Sequence, residues 1–175
     1  MFKRLLMVLG LVLPIWARAE DFAAPPGWRV PNIKDYSHDW AEIKSRLPTP
    51  YKLAGDFNGD KIQDQIWILF KAGQKHSDKD WGLFARISRP DGNYDVQKLE
   101  SYKNWVEAQT MALESAEPGV YKTACGEGYW KCAKGEPKSV KLQGEGFFLV
   151  AIDKASTLYY WDAKRKKFNK VAESD

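Results

Sequence analysis

The sequence predicts a mainly β fold, antiparallel sheets with one short N-terminal helix. Two observations lead there. Short runs rich in apolar, β-branched and aromatic residues recur from Tyr51 to the C-terminus, separated by Pro, Gly, Asp and Asn. Only Ser37–Leu47 carries clear helical spacing: Ser37 caps it, Trp40, Ile43 and Leu47 share a face, and Pro48 and Pro50 end it.

The elements follow in chain order. Glu20–Asn32, with Pro25, Pro26 and Pro31, reads as extended, so residues 20–35 form a lead-in to a single β-rich domain, residues 36–175. Tyr51–Ala54 is a strand entering an acidic loop, and Gln65–Lys71 (QIWILFK) leaves it, apolar enough to be central in a sheet. Ala72–Asp80 is a polar loop. Trp81–Ser88 and Tyr94–Leu99 flank Pro90-Asp91-Gly92-Asn93, a hairpin pattern. Trp105–Glu114 fits helix or strand, with strand preferred. Pro118-Gly119 marks a turn, after which Val120–Ala124 runs as a strand towards two cysteines. Val140–Leu142, Phe147–Asp153, Thr157–Trp161 and Phe168–Val171 complete the strands. Lys164-Arg165-Lys166-Lys167 is a solvated hairpin turn or, alternatively, a patch for an anionic partner.

The first residues read as a targeting segment. Lys3 and Arg4 precede the apolar run Leu5–Trp16, and Ala17-Arg18-Ala19 offers small residues for cleavage after Ala19. The run is shorter than the ~20 residues of a membrane span. Residues 1–19 are thus expected to be a signal peptide and the mature protein periplasmic, without stable membrane insertion. Cleavage removes Lys3, Arg4 and Arg18 from 27 basic side chains, leaving 24 against 23 acidic, a balance of +1. No nucleic-acid partner is expected from that balance. Seven of the eight Trp lie beyond residue 19 and can supply a large core.

The acidic loop is the sharpest chemical feature. Calcium takes six to eight oxygen ligands at about 2.3–2.6 Å. In Asp56–Asp64 (DFNGDKIQD), Asp56, Asn58, Asp60 and Asp64 occupy positions 1, 3, 5 and 9. Ile62 at position 7 can offer its carbonyl while its side chain enters the core, and Gly59 permits the tight turn. The pattern is not an EF-hand, which needs Gly at position 6 and Glu at position 12; Lys61 and Trp67 stand there.

Gly55–Ile66 (GDFNGDKIQDQI) resembles the calcium loops of FG-GAP and VCBS-type repeats, whose pattern is close to GDxNGDGxxDxxV. Lys61 replaces the usual Gly, and weakened affinity follows as an expectation. Those families stack several such loops into propellers; one loop excludes a whole propeller. Two further stretches, Lys122–Pro137 and Phe147–Trp161 with Lys170–Asp175, resemble a group of small exported proteobacterial proteins. A Cys-Gly-x-Gly-Tyr loop and an Ala-Ser-x-x-Tyr-Tyr-Trp-Asp strand recur in that group. Some similar calcium-loop proteins are periplasmic immunity proteins with a lysozyme-inhibitor-like β fold. The resemblance implies a lysozyme-inhibitor-like or partial-propeller-like architecture, and a cell-wall hydrolase or toxin as partner.

Cys125 and Cys132 are the two cysteines, and in an oxidising compartment an even count suggests a disulfide. Its short loop would add roughly 2–3 kcal/mol. Zinc held with His38 and His76 is the alternative, although the cysteine spacing is wide for it. A bridged tip bearing Glu127, Tyr129 and Trp130 could bind a partner with little ordering cost. Alternatively, Tyr129 and Trp130 fold back as core. Ser156, Tyr159, Tyr160 and Trp161 read as core and sheet surface.

The functional expectation is an exported, non-enzymatic calcium-binding protein that inhibits a hydrolase or toxin. A glycan- or peptidoglycan-binding or structural envelope module is the alternative, favoured if Trp28, Trp81 or Trp130 form a flat exposed row. An unrecognised hydrolase ranks lowest: the chain has no nucleophile elbow, HExxH or phosphate loop.

Overall fold

The computed structural model describes residues 22–32, 35, 49–73, 80–103, 110–151 and 154–174. The targeting segment, the Ser37–Leu47 helix, His38, His76 and the first part of Trp105–Glu114 lie outside them. Antiparallel strands dominate, and a single short helix occurs among the described residues.

The first sheet contains β1 (Trp28–Arg29), β2 (Lys52–Gly55), β3 (Asp64–Lys71), β4 (Trp81–Ser88) and β5 (Tyr94–Tyr102). β3 is central. β2 pairs with its first half and β1 with its last residues, both on the edge opposite β4. The second sheet runs β6 (Met111–Ala116), β9 (Gly146–Ala151), β10 (Ala155–Asp162) and β11 (Lys167–Ser174). Between β6 and β9 the chain makes a separate pair, β7 (Gly119–Lys122) with β8 (Ser139–Leu142).

Strand alternation explains how the sheets stack. Ile66, Ile68 and Phe70 of β3 and Trp81, Leu83, Ala85 and Ile87 of β4 turn inward. They meet Leu113, Phe147, Leu149 and Tyr159 of the second sheet. The opposite face of β3 and β4 carries Trp67, Leu69 and Phe84, and the lead-in covers it with Phe22, Trp28 and Val30. This second cover explains why QIWILFK reads as a continuous apolar run: both its faces are buried. Gly82 makes room for the lead-in, because a Cβ there would lie 3.1 Å from the Trp28 ring and 2.8 Å from Phe84. The outer face of the second sheet has its own lid, in which Val140 and Leu142 of β8 pack with Ala116 and Leu158.

Hydrogen bonds join the sheets at both sides. Leu113 N donates to Pro50 O at 2.9 Å on one side. On the other, Gln97 Nε2 donates to Lys166 O at 3.2 Å, and Lys170 pairs with Glu100. The basic run is indeed a turn, with residues 163–166 joining β10 to β11.

Two strand expectations need correction. β5 continues past Leu99 to Tyr102, because a bulge opposite Leu83 and Phe84 shifts the register and Tyr102 stacks on Trp81 at 4.1 Å. Val120–Ala124 is not strand throughout. β7 ends at Lys122, and Ala124 opens the short helix α1 (Ala124–Glu127).

Candidate functional site

β2 and β3 pair down to Gly55 opposite Asp64, so the acidic loop is the turn of a hairpin with Asp56 and Asp64 on either side of its mouth. The loop winds around Asp56. Its Oδ1 accepts from Gly59 N at 2.9 Å and Asp60 N at 3.0 Å, and its Oδ2 from Lys61 N at 2.9 Å. Asn58 Oδ1 accepts from Asp60 N at 2.9 Å, and Asp60 Oδ1 from Ile62 N at 2.8 Å. These bonds require left-handed backbone at Gly59 (φ 80°) and at Lys61 (φ 67°). The second is where the resembling repeats usually carry Gly, and a non-Gly residue in this region is strained by roughly 1–2 kcal/mol.

Asp64 is fully buried. Its Oδ1 accepts from Ser88 N of β4 at 2.8 Å and its Oδ2 from Phe57 N at 3.2 Å. Burial pushes its carboxyl up to about 6, the neighbouring Asp60 carboxylate adds to the rise, and the N–H bonds oppose it. Phe57, rather than Ile62, anchors the loop in the core. It is 2 % exposed and packs edge-on against Phe147 at 5.7 Å, whereas Ile62 is only half-buried. Position 2 of the loop continues directly from β2 over the core, so its side chain reaches inward first.

Glu145, in the turn between β8 and β9, is a partner that no local pattern announces. Its Oε2 accepts from Asp56 N at 2.9 Å and ties the second sheet to the loop. Gly55 allows this approach, since a Cβ there would stand 2.4 Å from the same oxygen.

Among the described residues no group of three or more His, Cys, Asp or Glu is arranged to hold a metal ion. The loop's donor set is chemically suited to a hard cation nonetheless: carboxylates of Asp56, Asp60 and Asp64, the Asn58 amide and the Ile62 carbonyl are all oxygen donors.

A pH dependence follows from Asp64. In calcium-free buffer the folded carboxyl titrates near 6, above its ordinary 3.8. Between these values the folded state binds more protons than the unfolded state, so stability falls as pH rises from 4 to 6. The expected loss over this window is on the order of 2 kcal/mol, read from urea midpoints. Half-buried Asp162, held down to about 2 chiefly by Arg165, acts below this window. A midpoint that rises from pH 4 to 6 would contradict the assignment.

At the far end of β7 the chain forms the disulfide tip. Thr123 caps α1: its Oγ1 accepts from Gly126 N at 3.1 Å and donates to Pro137 O at 2.7 Å. Gly128 (φ 97°) closes the helix, with its N–H directed to Ala124 O. Cys125 and Cys132 are bonded, which removes them from the zinc alternative. Gly126 lies against Lys138, the residue before β8, so closely that a Cβ would fall 1.8 Å from its carbonyl oxygen. Beneath the tip Ala124 and Cys125 are buried, while Tyr129 is 57 % and Trp130 40 % exposed. Trp130 Nε1 donates to Glu136 Oε1 at 3.3 Å, and Glu127 pairs with Lys122. Of the two readings for Tyr129 and Trp130, the exposed one describes the structure. A row of Trp28, Trp81 and Trp130 does not form: Trp81 is fully buried and Trp28 packs on Phe84 at 4.9 Å.

Among the described residues no helix is long and apolar enough to cross a membrane. Comparison with family models, curated proteins and solved structures finds no match to the chain.

Proposed function

We propose that this is an exported, calcium-stapled β protein that works by binding, an inhibitor or immunity protein that blocks a cell-wall-degrading hydrolase or toxin in the periplasm. One observation carries the reading. Two large aromatic side chains, Tyr129 and Trp130, stand exposed on a tip held by a disulfide, a capped helical turn and close backbone contact with Lys138 just before β8. Such anchors are presented with little entropy left to lose on binding. The hydrolase as partner class comes from the resemblance of the cysteine loop and the acidic loop to exported immunity proteins. Export rests on the basic and apolar pattern of residues 1–19 and accords with the disulfide.

Trp130→Ala is expected to weaken capture of such a hydrolase by about 2 kcal/mol, roughly 30-fold, while the melting temperature stays within about 2 °C. Binding assays against a panel of cell-wall hydrolases test it. A panel without any binder, or a variant that binds unchanged, would sink the proposal.

Calcium has a structural role in this reading. The ion would be held by Asp56, Asn58, Asp60, Asp64 and the Ile62 carbonyl, neutralising crowded carboxylates and fixing β2 to β3. With a dissociation constant of about 10⁻⁴–10⁻³ M, ~1 mM calcium adds roughly 0.4–1.4 kcal/mol. Lys61→Gly is expected to tighten calcium several-fold by calorimetry, because it removes a nearby cation. It should also raise calcium-free stability by about 0.5–1 kcal/mol, left-handed strain relieved outweighing glycine's entropy. Weaker calcium binding by this variant would count against the site.

A further inference from the structure

The turns that close the sandwich beside the acidic loop enclose a cleft that neither the ion nor the tip accounts for. Its volume is about 490 Å³, within the range of small-ligand sites. Loop residues 57–59 form one wall, the 143–145 turn another, and the end of β10 with the following turn a third. Tyr160 and Trp161, both half-buried, border the cleft from opposite faces of β10, Tyr160 on the side of Leu142 and Trp161 on the side of Phe57. β8 starts beside the disulfide tip at Ser139 and reaches the cleft at Leu142, so the two features lie at opposite ends of one strand.

Charge in the cleft is unevenly satisfied. The Asp162 carboxylate accepts from Arg165 Nε at 2.6 Å and from the N–H groups of Lys164 and Arg165 at 3.0 Å. Among the described residues Glu145 accepts one hydrogen bond, from Asp56 N to its Oε2. Lys141 and Lys164 are exposed at the rim and form no ion pair among the described residues. The exposed Gln143 amide carries a donor and an acceptor together. The lining thus combines aromatic surface, groups for neutral hydroxyls, two cations without an ion pair among the described residues, and the Glu145 carboxylate, which is held on Asp56 N at the loop side. Turns make most of the walls, so an extended peptide would find no long row of backbone groups to pair with.

We propose that this cleft binds an acidic saccharide, a sugar bearing a carboxylate. Lys141 and Lys164 take the acid group, Tyr160 the apolar face of the ring, and Gln143 its hydroxyls. Lys141, Gln143 and Lys164 belong to neither the calcium loop nor the tip, so variants at these positions test this proposal separately from both.

The test is an NMR titration of the purified protein in calcium, following the amides of Gly59 and Gly144, both in the cleft walls. The probes are the disaccharide of N-acetylglucosamine and N-acetylmuramic acid, neutral chitobiose, and tri-glutamate. The carboxylated disaccharide is expected to shift both amides and to bind about fivefold more tightly than chitobiose, as one exposed ion pair provides. The double variant Lys141→Gln, Lys164→Gln should lose that preference and melt as the parent does. Stationary amides at about 10 mM of every probe, where even millimolar binding would show, would overturn the proposal. Equal shifts with tri-glutamate, or a preference that survives in the double variant, would overturn it as well.

Discussion

Asp64→Ala is expected to abolish the response to calcium and to lower stability in saturating calcium by about 3–4 kcal/mol. The carboxylate is fully buried and holds two main-chain donors, Phe57 N from the loop and Ser88 N from β4. Alanine leaves both facing a dry void, and each orphaned group costs about 1–3 kcal/mol. Lost calcium adds its own contribution. In chelator at neutral pH the effect should shrink to about 1–2 kcal/mol, because removing an ionised, desolvated carboxylate gives back part of its burial cost. Asp64→Asn keeps one acceptor, so it should lose the calcium response with a smaller penalty. Urea denaturation with and without calcium measures all three values. An alanine variant that calcium stabilises as fully as the parent would show that the ion, if bound, sits elsewhere.

Much of the architecture was legible in the chain, and the misses have physical causes. QIWILFK announced a central strand because both of its faces are covered. The hairpin at Pro90–Asn93 was legible from its turn residues. The end of β5 was not, since a bulge breaks the alternation and Tyr102 is held by Trp81, a contact across the sheet. Helix α1 is too short to show periodicity, yet Thr123 and Gly128 are its caps, and reading that pair would have located it. In the acidic loop the spacing of the oxygen-bearing side chains was plain, and Lys61 was recognised as the departure whose left-handed backbone the structure displays. Ile62 at position 7 was expected to send its side chain into the core; Phe57 fills that place, since the chain leaves β2 already over the core. Glu145 had no signature, because its bond to Asp56 spans 89 residues. The cleft escaped for the same reason: its walls come from three separate turns.

Phe147→Ala is expected to have the largest effect on the fold, a loss of about 4–5 kcal/mol. Phe147 is fully buried and lies at the junction of every part that positions the loop. It stacks on Tyr159 of β10 at 4.9 Å, nearly parallel, and meets Phe168 of β11 at 5.5 Å and Phe57 of the acidic loop at 5.7 Å, both edge-on. Truncating a buried Phe costs about 3–5 kcal/mol, and the upper part of that range applies where the cavity cannot collapse. Here three aromatic rings held on separate elements surround the void, so collapse would require two strands and the loop to move together. Phe147→Leu refills most of the volume and should cost under half as much. Because Phe57 belongs to the loop, the same void should also loosen the ion site. The double variant Phe57→Ala, Phe147→Ala is therefore expected to lose about 1–2 kcal/mol less than the sum of the single variants. Chemical denaturation of the four proteins yields this coupling, and calcium calorimetry on Phe147→Leu gives the loop's share. Strict additivity would mean that the loop is anchored by its own hydrogen bonds and the Asp64 carboxylate alone. A coupling of the expected size would make Phe57–Phe147 the contact through which the hydrophobic core sets the geometry of the acidic loop.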